Sequence, residues 1–182
     1  MLGLQVQERI GPRFDVFKQS TMRIGEIAIV SPAYQVRRQF IQAASDELVI
    51  QTEKLMFGRV KINDQLILHL YGLDYQDGDN NPSWDLVSKK LLGYVILYSW
   101  NKPATLDSIK DTVDLLLARY RIPVVVAAAM DGSPESAPSV LLNIDFNIAQ
   151  NSEFTFCNTA DRESVRKVLV VLIDSVIAGF TH

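Results

Sequence analysis

The chain has 182 residues, enough for one domain with a sizeable core, and its 48% hydrophobic and 21% charged content is ordinary globular composition. A net charge of -3 with no basic stripe argues against a dedicated nucleic-acid binder. A single cysteine, Cys157, excludes an internal disulfide framework, and no apolar stretch reaches the roughly 18 residues that span a bilayer. The charged opening MLGLQVQERIGPRFDVF lacks a signal-peptide core, so a cytoplasmic protein is expected, with no membrane or nucleic-acid partner. Residues 1–22 read as an N-terminal extension and 23–182 as the domain.

The run RIGEIAIV from Arg23 to Val30 is short and β-branched, which predicts a buried strand. Tyr34 to Ala44 follows with Val36, Phe40, Ile41 and Ala44 at helical spacing. Glu53 to Ile62 and Gln65 to Tyr71 read as two strands of a hairpin turning at Asn63-Asp64. A polar loop, Leu73 to Trp84, leads to an expected helix from Asp85 to Leu92 and a buried strand from Gly93 to Ser99. Thr105 to Tyr120 has Leu106, Ile109, Val113, Leu116 and Leu117 in helical phase, and PVVVAAA (Pro123 to Ala129) is another buried strand. Pro134 to Asn147 fits a helix or a loop. Glu153 to Cys157 reads as a strand, and Asp161 to Phe180 as a long helix whose first turn carries Asp161 and Glu163, where negative charge suits the helix dipole. Apolar strands alternating with helices predict an α/β fold with a mainly parallel sheet, one antiparallel hairpin strand at its edge and helices on both faces.

An antiparallel hairpin inside a parallel series is the layout of Ras-like GTPases, and four stretches make the likeness specific. IAIVSPAYQVRRQFI (Ile27 to Ile41) resembles the strand, phosphate loop and first helix of bacterial Ras-like small GTPases, a branch of the P-loop NTPase superfamily. FGRVKINDQLILHLYGLDYQ (Phe57 to Gln76) is similar to their switch I strand, hairpin and switch II. VVVAAAMD (Val124 to Asp131) is similar to the strand ending in NKxD, and CNTADRESVRKVL (Cys157 to Leu169) to the last motif and helix. The resemblance runs from about Arg23 to Phe180 and implies a three-layer Ras-like GTPase fold.

A phosphate loop needs G-x-x-x-x-G-K-[S/T], whose backbone N–H groups cradle phosphate while the Lys neutralises charge and the hydroxyl binds Mg²⁺. The matching positions are Ser31, Val36, Arg37 and Arg38, all four replaced. In the family's loop geometry, a β-branched Val36 resists the backbone conformations glycine allows, and Arg38 places a cation where a metal should sit. Arg37 and Arg38 read as two solvated helix residues or, alternatively, as a guanidinium grip on an anion. Thr52 matches the switch I threonine. In switch II, Tyr75 stands at the glycine and Gln76 at the water-positioning glutamine. Asp131 matches the guanine-binding Asp, with Ala128 and Ala129 replacing its Asn and Lys, and Cys157 opens the final base-contact loop. Asp74, Asp77 and Asp79 make no calcium loop, because Pro82 and Ser88 replace the required Gly and Glu. His69, between Leu68 and Leu70, reads as a structural histidine.

The resemblance therefore implies a pseudo-GTPase: a degenerate Walker A motif, no efficient GTP hydrolysis, no cofactor, no metal and a signalling or regulatory role through protein contacts. The implied partner surface is the switch-like face, Thr52 to Phe57 and Tyr71 to Trp84, with a roadblock-type regulator as the partner class. Tyr75 and Trp84 are its aromatic anchors, unless Trp84 packs the switch II helix on the sheet. The alternatives are a residual GTP/GDP-binding switch or slow GTPase with Mg²⁺, using Arg37, Gln76 and Asp131, and a structural subunit whose pocket Tyr34 fills.

Overall fold

A computed structural model describes residues 22–51, 56–74, 90–102, 105–132 and 152–179. Ten elements follow one another: β1 (Arg23–Val30), α1 (Tyr34–Ala44), β2 (Glu47–Gln51), β3 (Met56–Asn63), β4 (Leu66–Leu73), β5 (Leu91–Ser99), α2 (Thr105–Tyr120), β6 (Val124–Ala129), β7 (Ser152–Cys157) and α3 (Arg162–Gly179). The strands form one seven-stranded sheet in the order β2-β3-β4-β1-β5-β6-β7. Only β3 runs against the others, pairing antiparallel with β2 on one side and β4 on the other. The expected α/β class with a mainly parallel sheet therefore holds.

Alternating side chains of the central strands feed two cores, as a sheet covered on both faces requires. On one face Ile27, Ile29, Val95, Leu97, Val125 and Ala127 pack under α1 and α3. On the other, Ala28, Val30, Tyr94, Ile96, Val124 and Val126 pack under α2. Each helix presents a stripe at i, i+3, i+4, i+7. In α3 the stripe is Val165, Val168, Leu169 and Leu172; in α2 it is Ile109, Thr112, Val113 and Leu116. α3 opens on a side-chain cap, with Asp161 accepting the Ser164 N–H at 2.7 Å, so Asp161 precedes the helix instead of standing in its first turn. No helix among the described residues is long and apolar enough to cross a membrane.

Several expectations change. The stretch from Glu47 to Gln51 is an extra edge strand, so the antiparallel strand lies one place in from the edge. The hairpin turns at Asp64-Gln65, because the Asn63 carboxamide oxygen accepts the Gln65 N–H at 2.8 Å and keeps Asn63 in β3. Leu91 and Leu92, expected to close a helix, open β5, where Leu91 is buried beside Glu26 of β1. In α1 the buried stripe is Arg37, Phe40, Ile41 and Ala44, so Arg37 takes the place expected for Val36, which is only half-buried. Glu53 to Leu55, the residues 75–89, Pro134 to Asn147 and the N-terminal extension before Met22 lie outside the described residues.

Candidate functional site

In an open parallel sheet, ligands bind beyond the carboxyl ends of the strands, where the chain's path reverses direction. Here that point is the end of β1. From β1 the chain passes over one face through α1 towards β2, while α2 leaves β5 over the opposite face towards β6. The crevice outside Val30 is therefore the position at which the fold itself would place a ligand.

The connection from β1 to α1 is three residues, Ser31, Pro32 and Ala33, and the helix starts at Tyr34. Ser31 shapes this turn. It is buried, its hydroxyl oxygen accepts the Ala33 N–H at 3.2 Å, and its own N–H reaches the Leu73 carbonyl of β4 at 3.4 Å. Val36, Arg37 and Arg38 are consequently wound into α1, with the Arg37 N–H already donating to the Ala33 carbonyl at 3.2 Å. The helix expected from Tyr34 to Ala44 is observed, so at Val36 the backbone is helical, a conformation valine accepts readily, and the family's loop geometry does not apply there.

Arg37 is the second correction. Far from being solvated, its side chain is 2% exposed. An Nη of its guanidinium donates to the Ser31 carbonyl and lies 3.4 Å from Oδ2 of Asp74, the residue just beyond β4. Burying a guanidinium costs several kcal/mol, which a close carboxylate and carbonyl offset; removing one partner of such a pair costs about 3–5 kcal/mol. Tyr34, which the structural-subunit alternative uses to fill the pocket, is partly buried and packs against the core under α1 and α3. Arg38 is half-buried.

The described positions at the ends of β6 and β7 sit on the same edge of the sheet but apart. Ala128 and Ala129 are buried at the end of β6, and Asp131 follows on the surface before Gly132, whose φ of +94° marks a sharp turn. Cys157, at the end of β7, is fully buried; burial pushes its thiol up to about 12, against a smaller opposing pull from a hydrogen bond with Ser164. A buried thiol held this high is poorly disposed to act as a nucleophile. Beyond it, Thr159 donates to the Gln39 side-chain oxygen at 3.0 Å, tying this loop to α1. His69 is half-buried and edge-on to Phe57 at 4.9 Å; burial and then Arg59 hold its imidazole below the usual 6.5, against an opposing pull from Glu26. Thr52, Tyr75, Gln76 and Trp84 lie outside the described residues. Among the described residues no three His, Cys, Asp or Glu side chains gather as a metal-binding group.

Asp74 is the residue that sequence reasoning missed, having been weighed only as part of a calcium loop. A signal existed: an acid at the exit of one strand and a base in the first turn after its parallel neighbour meet at the same sheet edge. Comparison with protein-family models and with curated proteins finds no match to this chain.

Proposed function

We propose that the chain is a Ras-like GTPase-fold domain of bacterial type that has lost nucleotide chemistry and is kept as a protein-interaction module, a pseudo-GTPase. The observation that carries this reading is the β1–α1 connection: three residues are too few to wrap a phosphate, and a buried arginine stands where the cradle would open. A single antiparallel strand in an otherwise parallel sheet agrees with the same ancestry. Replacement of the loop glycine, the lysine and the magnesium-binding hydroxyl by Val36, Arg37 and Arg38 supports it further. On this reading the working surface is the switch-like face, bearing Tyr75 and Trp84. Its partner is a protein, a roadblock-type regulator by resemblance, and neither GTP nor Mg²⁺ enters the interaction.

The test is a thermal-shift or calorimetric titration of the purified chain with GTP and GDP, with and without Mg²⁺. No stabilisation is expected. A ligand at one hundred times its Kd would stabilise the fold by about 2.7 kcal/mol, far above detection. A magnesium-dependent shift of that order overturns the reading in favour of a nucleotide switch.

A further inference from the structure

Strands β1 and β4 run in register up to Val30 beside Leu73, and their ladder ends on a stretched rung, Ser31 N–H to the Leu73 carbonyl at 3.4 Å. A bond of that length holds weakly. Immediately beyond it, the chain leaving β1 and the chain leaving β4 are joined through one side chain. The same Arg37 nitrogen that donates to the Ser31 carbonyl lies 3.4 Å from the Asp74 carboxylate.

We propose that Arg37 is a built-in latch: it occupies the crevice at the end of β1 and fixes where the chain leaves β4. Three features support this. A guanidinium is planar and presents its donors in a fixed fork, so it serves a carbonyl and a carboxylate together, which the single ammonium of lysine does less well. The Arg37 side chain is 2% exposed and that of Asp74 27%, so salt screens the contact less than it would a surface pair. Arg37 also lies on the buried stripe of α1 with Phe40 and Ile41, so the rotation of the helix holds its side chain on the buried face. The latch is argued from these contacts and not from the ancestry of the chain.

Emptying the crevice should create a site for a small planar cation. Arg37→Ala removes the guanidinium from beside the Ser31 carbonyl and the Asp74 carboxylate, and free guanidinium is the probe for the space it leaves. Thermal unfolding and amide exchange are measured on the wild type, Arg37→Ala, Arg37→Lys and Asp74→Asn. Arg37→Ala should lower Tm by roughly 6–20 °C. Its Ser31 amide should exchange at least about ten-fold faster relative to Ile29, in the middle of β1, because the end of the ladder opens locally. Millimolar guanidinium chloride, but not sodium chloride, should restore both in Arg37→Ala and neither in the wild type. Lysine should recover only part of the loss; full recovery would overturn the forked contact. If Arg37→Ala does not fold, Asp74→Asn carries the test, and its Ser31 amide must still exchange faster. Unchanged Ser31 exchange in both variants, or an equal guanidinium effect on wild type and variant, overturns the latch. Nucleotide titration of the wild type decides the pseudo-GTPase reading separately, so the two fail by different measurements.

Discussion

Replacing Gly93 with alanine puts a methyl group where two neighbours already stand. Gly93 lies in β5 beneath α3, and a Cβ there would come within 2.7 Å of Leu172 Cδ1 and 2.8 Å of the Pro123 carbonyl oxygen. Leu172 is fully buried, so it has little room to move. Pro123 is held through its backbone, its carbonyl accepting the Tyr94 N–H at 3.0 Å. Overpacking of this kind costs about 1–3 kcal/mol, which for a domain this size is a Tm loss of about 2–12 °C. Leu172→Ala alone leaves a cavity and costs about 2–5 kcal/mol. In the double variant the added methyl group enters part of the space that Leu172 vacates. The combined loss should therefore fall short of the sum by about 0.5–2 kcal/mol. Relief stays incomplete because the Pro123 carbonyl has not moved. Urea midpoints of the four proteins measure the cycle. Wild-type stability of Gly93→Ala, or simple additivity in the double variant, would refute the packing of α3 on β5 at this point.

Two further outcomes follow from charge and backbone. Asp46, at the α1–β2 junction, accepts the Lys61 N–H at 2.8 Å on one oxygen and the guanidiniums of Arg162 and Arg166, the latter at 3.0 Å, on the other. Burial pushes its carboxyl up, but the Lys61 N–H and the two arginines outweigh burial and hold it below the ordinary 3.8. A depressed carboxyl stabilises the fold fully at neutral pH and loses that contribution as pH falls through its folded value. Asp46→Asn should cost about 1 kcal/mol at neutral pH, a figure discounted for solvent exposure. Its urea midpoint should merge with the wild type's below the aspartate range, and a gap that persists there would refute the assignment. Arg121, after α2, has φ 48°, a left-handed conformation that costs a side chain roughly 1 kcal/mol. Arg121→Gly should raise Tm by a few degrees, and an unchanged or lower Tm in a melting curve would contradict that backbone.

Elements with one unambiguous period were legible in the sequence. RIGEIAIV and PVVVAAA are apolar runs too short for helices and too continuous for loops, and both form strands with a neighbour on each side. The strand from Glu47 to Gln51 escaped notice because ELVIQ is five residues long and directly follows a helix. What makes it a strand is its partner: Glu47 pairs with Arg59 and their side chains meet at 3.2 Å, a contact that depends on where β3 lies. Leu91 and Leu92 failed for a related reason. Leucine suits helix and strand alike, and only the register with β1 decides between them.

The site was half legible, and the missing half turns on a contest between charge and period. Judged by charge, Arg37 belongs in water; judged by period, it stands three and four residues before Phe40 and Ile41 and belongs in the core. Magnitudes decide the contest. Turning α1 to expose Arg37 would also pull Phe40 and Ile41, both fully buried, out of the core at about 1.5–3 kcal/mol each. That sum rivals the several kcal/mol needed to desolvate one guanidinium. The Ser31 carbonyl and the Asp74 carboxylate offset part of the desolvation, and no comparable partner offsets an exposed Phe40. The apolar stripe therefore sets the rotation of the helix, and Arg37 follows it into the crevice at the end of β1. The two acceptors at the mouth of that crevice make a buried cation tolerable there.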